Sequence, residues 1–321
     1  MSLPASLEGN LRIPAIGAPM FIVSGPDLVL AQCKAGIVGA FPALNARPES
    51  MLDEWLAQIT GELAAFKSAN PETPVAPFAV NQICHHSNNR LEHDVEMCVK
   101  YKVPIIITSL RPPAEVVEAV HSYGGVVFHD VINIRHAQKA IDQGVDGIIT
   151  VCSGAGGHAG TTSPFALVKE VRDIFDGTII LSGSMSRGND ALAAQAMGAD
   201  LAYYGTRFIA TQEANAPSDY KEMIVDSAAA DIVYTNLFTG VHGSYLKGSI
   251  TKAGLDPDDL PEGDLKTMNF GSGGGSKAKA WRDIWGAGQG VGTIDDIPSV
   301  ANLVARMEVE YREAARRLCI A

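Results

Sequence analysis

"GVVFHDVINIRHAQKAIDQGVDGIITV", Gly125 to Val151, decides the fold. Two apolar runs, "GVVFHD" (Gly125 to Asp130) and "DGIITV" (Asp146 to Val151), flank the helix-like "RHAQKAIDQG", which stops at Gly144. Each run is apolar at consecutive positions rather than at alternate ones, as a strand covered on both faces of a parallel sheet requires. The glycine ends the helix because it takes the left-handed conformation without penalty. The stretch therefore reads as strand, crossover helix, strand.

The same unit recurs on both sides. Further apolar runs are "AIGAPM" (Ala15 to Met20), "GIVGAF" (Gly36 to Phe41), "PFAVN" (Pro77 to Asn81), "PIIITS" (Pro104 to Ser109), "TIILSG" (Thr178 to Gly183) and "DLAYYG" (Asp200 to Gly205). Between them, "SMLDEWLAQITGELAAFKSA" places Leu52, Trp55, Leu56, Ile59, Leu63 and Phe66 on one face. "PAEVVEAVHSYG" opens near Pro113, and "NDALAAQAMG" opens with Asn189 as its expected cap and ends at Gly198. Eight strands alternating with helices over about 200 residues predict an α/β fold of the (β/α)8 TIM-barrel type. The competing architecture is a doubly wound open sheet, but no GxGxxG follows the first strand.

After Thr211 the pattern changes. Residues 213–280 carry helical stretches, the acidic turn-rich "DPDDLPEGD" and the low-complexity "GSGGGSKAK", read as a mobile loop, with no convincing buried strand. "VANLVARMEVEYREAARRL" then resumes an amphipathic helix. The expected organisation is a barrel from residues 1–212 and 281–321, interrupted by a smaller, mainly helical domain at 213–280 inserted between strand eight and the last barrel helix. That domain, with "VYTNLFTGVHGSYL", is expected either to cover the pocket or to pair subunits into a homodimer.

Bulk composition narrows the function. At 46% apolar and 19% charged, the 321-residue chain has ample material for a core. A formal charge of -11 without a Lys/Arg cluster excludes nucleic acid and anionic membrane surfaces as partners held by the overall field. The five cysteines, Cys33, Cys84, Cys98, Cys152 and Cys319, form no CxxC, which predicts free thiols in a reducing cytoplasm. The N-terminus shows no signal-peptide pattern, and no apolar run reaches the ~18 residues of a membrane span. The predicted location is cytoplasmic.

In a barrel the loops after the strands form the active face. Strands seven and eight run into "SGSMSRG" and "YGTRF", where Ser182, Gly183, Ser184, Gly205 and Thr206 offer hydroxyls and backbone N–H groups to a phosphate. The competing reading is a pair of ordinary tight turns. Strand six runs into "CSGAGGHAG", whose Gly154, Gly156, Gly157 and Gly160 are expected to let a flat ligand approach. His158 would then face the same space and take a proton from carbon or bind an anion. The alternative is a histidine that caps a loop. His129, at the end of strand five, is a candidate cofactor contact or a buried hydrogen-bonded residue. "CHH" at Cys84 to His86, with His93 and Cys98, lacks zinc spacing, so no metal is expected. Arg207 reads as an ion-pair partner. "WGAGQGVG" (Trp285 to Gly292) closes on the ligand or joins the small domain to the last helix.

Together, "PAIGAPM", "PFAVN", "GAGGHAG", "LSGSMSRG", "MGADLAYYGTRF" and "WGAGQGVG" resemble nitronate monooxygenase, formerly 2-nitropropane dioxygenase, in order along nearly the whole chain. The resemblance implies FMN at the C-terminal ends of the strands. It implies that Ala18, Pro19 and Met20 lie along the ring with Asn81 nearby and Gly156 and Gly157 approaching it. Ser182, Gly183, Ser184, Gly205 and Thr206 would hold the phosphate, and His158 matches the catalytic histidine. His129 falls where relatives often carry a lysine. Two further departures are Ser184 in place of a second glycine and Gly17 in place of a glutamine. The implied reaction consumes an alkyl nitronate, such as propionate 3-nitronate, or a nitroalkane with O2, and yields a carbonyl compound and nitrite. Relatives in the same superfamily reduce quinones or enoyl thioesters with NAD(P)H, which is the rival activity. A non-redox barrel binding a phosphorylated metabolite is the third reading.

Overall fold

The computed structural model describes residues 3–111, 114–263 and 282–318. All eight expected strands are present: β1 (Ala15–Gly17), β2 (Gly39–Pro42), β3 (Phe78–Cys84), β4 (Ile105–Leu110), β5 (Val126–Val131), β6 (Gly147–Val151), β8 (Thr178–Ser182) and β9 (Leu201–Tyr204). The dipeptide β7 (Gly157–His158), between β6 and β8 in the chain, stands outside their sheet. The eight form one parallel sheet in the order β1-β9-β8-β6-β5-β4-β3-β2. The two ends meet through a parallel bridge between Ile16 and Val38, with Gly17 N–H donating to Val38 O at 2.7 Å and Val38 N–H to Ala15 O at 3.2 Å. The sheet is thereby closed, and the open-sheet alternative falls.

Strand side chains alternate between two apolar layers. Ile16, Val38, Ala79, Ile105, Ile107, Phe128, Ile149, Ile180 and Leu201 pack together in the barrel lumen, and Leu7 joins them from the N-terminal segment. Their neighbours Val80, Ile106, Val127, Ile148, Ile179 and Ala202 pack outward against the helices. Both layers exclude water, which explains the unbroken apolar runs in the sequence. The last helix (Val300–Arg317) closes the outer ring against the helix Gly188–Met197. Asn189 is not the cap of that second helix. It lies in the first turn, and the carboxylate of Asp190 accepts from the N–H groups of Ser186 and Arg187, both at 2.8 Å.

The segment after β9 differs from expectation. It contains the helices Ser218–Asp226 and Lys247–Lys252, but also two strands, β10 (Ile232–Thr235) and β11 (Gly243–Leu246). These pair antiparallel, and β11 pairs in turn with β7. Among its described residues, 213–263, this segment is therefore mixed rather than mainly helical. Its strands are short, and β7 is a glycine and a histidine, so neither alternation nor β-branched enrichment marks them. The low-complexity "GSGGGSKAK" lies outside the described residues.

Candidate active site

At the end of β8 the chain turns through two left-handed residues, Gly183 (φ 140°) and Ser184 (φ 56°). A Cβ on Gly183 would stand 2.9 Å from Ser153 O, so only glycine fits there. Ser184 N–H donates to Gly154 O at 3.2 Å, so its main-chain donor is already engaged within the loop. The β8 and β9 ends are adjacent, with Ser182 in register with Tyr203. Gly205 and Thr206 therefore lie beside the Ser182–Ser184 turn. Thr206 Oγ1 accepts from Gly288 N–H at 2.8 Å, which leaves its own hydrogen to give.

The "WGAGQGVG" loop seals these turns from outside. Besides the Gly288 bond, Gln289 N–H donates to Gly154 O at 2.9 Å. It also ties in the inserted strands, since Leu246 N–H donates to Trp285 O at 2.8 Å and Tyr220 stacks on Trp285 with centroids 4.9 Å apart. Three glycines of the β6 loop are required by the protein's own packing, Gly156 against this loop and Gly154 and Gly160 against other neighbours. A Cβ on Gly154 would overlap Ser184 Oγ, one on Gly156 would meet Gly288 N at 2.8 Å, and one on Gly160 would meet Val151 O at 2.9 Å. Gly157 is required for a different reason, a φ of 67°.

Ala18, Pro19 and Met20 leave β1 toward the same mouth. Ala18 N–H donates to Tyr204 O at 2.8 Å, and a Cβ on Gly205 would reach Ala18 Cβ at 3.7 Å and Met20 Sδ at 3.9 Å. Asn45 shapes this loop: its Nδ2 donates to Met20 O at 3.0 Å and Ser24 O at 2.8 Å, and its Oδ1 accepts from Ile22 N–H at 2.9 Å. Sequence reading did not single out Asn45, because the bonds span more than twenty residues and leave no local pattern.

Asn81, Ser109 and Asp130 sit two residues beyond Ala79, Ile107 and Phe128, on the lumen-facing parity. They form a chain: Asn81 Nδ2 donates to Ser109 Oγ at 2.8 Å, and Ser109 Oγ donates to Asp130 Oδ2 at 2.6 Å. Burial pushes the Asp130 carboxyl up to about 6, against the hydrogen bond from Ser109. Its Oδ1 is buried without a hydrogen-bond partner. His129 has the opposite parity and does not face the mouth. It is 1% exposed, lies between Val127 and Val131 in the layer beneath the helices, and its Nδ1 is 2.8 Å from Thr108 Oγ1. Burial lowers it to about 4, so it is a neutral structural histidine. The expectation that His129 contacts a cofactor is corrected; Asp130 holds the lumen position. A run apolar on both faces hides the parity that would have distinguished them.

His158 reaches the mouth from β7. Its backbone pairs with Gly243, Ala159 N–H donates to His242 O at 3.4 Å, and Tyr234 Oη donates to Ala159 O at 2.7 Å. Its Nε2 is 2.8 Å from Thr239 Oγ1. Burial alone lowers the imidazole to about 4, which keeps it neutral at pH 7.

The remaining candidates resolve into structure. Arg207 is buried, donating to Ala210 O and Asp296 O at 2.9 Å each. His85 Nδ1 lies 2.8 Å from Ser87 Oγ, and His93 Nδ1 lies 3.0 Å from Asp94. Among the described residues no group of three His, Cys, Asp or Glu side chains is placed to hold a metal, and no helix is long and apolar enough to cross a membrane.

Comparison with known proteins agrees with this geometry. A nitronate monooxygenase of Neurospora crassa is 26% identical over 94% of this chain and 90% of its own length. A putative monooxygenase of Mycobacterium tuberculosis is 26% identical over 70% of this chain, a match that spans only 63% of that relative. The fold of FabK from Thermotoga maritima superposes with a TM-score of 0.75 at 23% identity, covering 98% of this chain and 96% of that one. The sequence profile for nitronate monooxygenase matches residues 9–310. That match takes in every barrel strand, the turns after β8 and β9 and His158, and the chain belongs to the nitronate monooxygenase family.

Proposed function

We propose that this protein is an FMN-dependent nitronate monooxygenase that converts alkyl nitronates and nitroalkanes, with O2, to carbonyl compounds and nitrite. The observation that carries the reading is the half-buried imidazole of His158, 2.8 Å from Thr239 Oγ1, at the mouth of a closed barrel whose last two strands end in small hydroxyl-bearing turns. The residues present fit a flavin nucleotide. Gly205 borders a space with nothing nearer than Ala18 Cβ at 3.7 Å and Met20 Sδ at 3.9 Å, and the Asn81–Ser109–Asp130 chain puts polar groups at the end of an otherwise apolar lumen. Ser182, Gly183, Ser184, Gly205 and Thr206 would hold the phosphate. Ala18, Pro19, Met20, Asn81 and Gly157 would flank the ring, with Gly156 behind them supporting the loop. Bound there, FMN supplies the electron-accepting centre and the reaction with O2.

His158 orients the nitro group and removes the α-proton when the substrate arrives as a neutral nitroalkane. The hairpin of residues 232–246 covers this side of the mouth. The test is the visible spectrum of the purified protein, followed by anaerobic titration. Bleaching of a bound flavin by ethyl nitronate is expected. Bleaching by NADH alone would assign a reductase, and a colourless protein that cannot be reconstituted with FMN would overturn the flavin reading altogether.

A further inference from the structure

Strand β9 ends in two tyrosines that face opposite ways. Tyr204 packs in the outer layer beneath the helices, with its ring edge-on to Phe208 and its Oη donating to Arg187 O at 2.9 Å. Tyr203 has the lumen parity of Leu201 and packs with it in the inner layer. It stands two residues beyond Leu201, as Asn81, Ser109, Asp130 and Ser182 stand two beyond Ala79, Ile107, Phe128 and Ile180. Those four side chains are small or polar, and Tyr203 alone brings an aromatic ring to this step of the lumen. "DLAYYG" gives no parity, so sequence reading passed over it.

The Tyr203 side chain is closed in everywhere but at its tip. The residue is only 8% exposed, yet among the described residues no hydrogen bond holds its hydroxyl, and the hydroxyl is not among the buried atoms sealed without a partner. It therefore opens on the mouth. Two residues on, Gly205 leaves a space with nothing nearer than Ala18 Cβ and Met20 Sδ. Burial first, and then the carboxyl of Asp130, raise the Tyr203 phenol well above its ordinary value, so it keeps its hydrogen at neutral pH.

We propose that Tyr203 is a cofactor-contact residue, its phenol forming part of the seat for the isoalloxazine ring and its hydroxyl giving that ring a hydrogen bond. This rests on the flavin reading above. A ring seated in the mouth removes the water that the hydroxyl meets, and an uncompensated donor would then cost free energy. The carbonyl oxygens and ring nitrogens of an isoalloxazine are acceptors that replace that water.

The experiment uses the full-length protein loaded with FMN, as wild type, Tyr203→Phe and Tyr204→Phe. A phenol touching an isoalloxazine ring quenches its fluorescence: it gives an electron to the excited ring and takes it back as the pair decays. A phenylalanine ring does not. Tyr203→Phe is expected to lengthen the fluorescence lifetime of bound FMN and to weaken FMN binding about 2- to 10-fold, the loss of one neutral hydrogen bond. Tyr204→Phe, in the outer layer, should leave the lifetime as it is. An unchanged lifetime in Tyr203→Phe, or an equal change in Tyr204→Phe, would overturn the contact, and unchanged affinity would overturn the hydrogen bond. A flavin whose lifetime depends on Tyr203 but which ethyl nitronate does not bleach would overturn the monooxygenase reading and leave the contact standing. A protein that takes up no FMN would overturn both.

Discussion

The two sides of the mouth are built in opposite ways. The side formed by the Ser182–Ser184 and Gly205–Thr206 turns is made by barrel strands β8 and β9, whose residues are buried in both layers and whose turns follow each strand directly. The histidine side is made by β7, two residues long, which has no place in the barrel and is held by a hairpin from the inserted segment. A barrel loop is placed by its own strand. His158 is placed by a partner some eighty residues away, so the two sides can be disturbed separately.

The sharpest test of that separation is His158→Asn. We expect kcat/KM on neutral nitroalkanes to fall by about 10²–10⁴, the range for a positioned general base, with bound flavin retained, as read by steady-state turnover and by flavin absorbance after gel filtration. Simultaneous loss of flavin would erase the distinction between the two sides. Gly183→Val is the mirror experiment. It places a Cβ 2.9 Å from Ser153 O in a left-handed turn, and strain of about 1–3 kcal/mol predicts about 10- to 100-fold weaker FMN retention on dialysis. Undiminished FMN occupancy would show that the phosphate does not lie against this turn.

Gly243→Val probes the hairpin. Its Cβ would meet Gly157 O at 2.9 Å and force β11 away from β7. Turnover on nitroethane should fall about tenfold through a misplaced histidine, equivalent to about 1.4 kcal/mol, while flavin binding holds.

A smaller effect separates the buried histidines from the lumen acid. His129 and His158 have folded values near 4, below the ordinary 6.5, so the unfolded chain binds more protons between those limits. Their contribution is intact above about pH 6.5 and is lost as pH falls toward 4. Asp130 works in the other direction, with a folded value near 6 above the ordinary 3.8, so its cost grows as pH rises through that window. Urea denaturation at stepped pH should show stability rising from pH 4 to 6.5. Asp130→Asn should steepen that rise and add up to about 3 kcal/mol at pH 7. A flat profile in the wild type would show that the two histidines are not buried neutral in solution.

The element pattern was legible because a closed barrel needs strands that are apolar on both faces, and that demand is local and repeated along the chain. From "GVVFHD" to "DLAYYG" the expected runs overlap the observed strands, and the turns after β8 and β9 carry the residues that the resemblance pointed to. The same double burial concealed which way each side chain points. Both readings of His129, cofactor contact and buried hydrogen-bonded residue, therefore stayed open in the sequence, whereas in the fold Asp130, one position on, faces the lumen. The glycines around His158 were legible as a backbone needing close approach, but not as one approached by the Gly288 loop.

What the sequence determined by itself is therefore the periodic part: eight strands, their helices, and the loops in which chemistry is carried. Tertiary structure alone decided the parity at the end of β5, the hairpin that recruits His158 as its third strand, and the Thr239 hydroxyl against its ring. The physical reason is range. Burial on two faces is written into each short run, whereas these contacts join residues whose separation along the chain leaves no periodic mark, and only the closed barrel brings them within a hydrogen bond of one another.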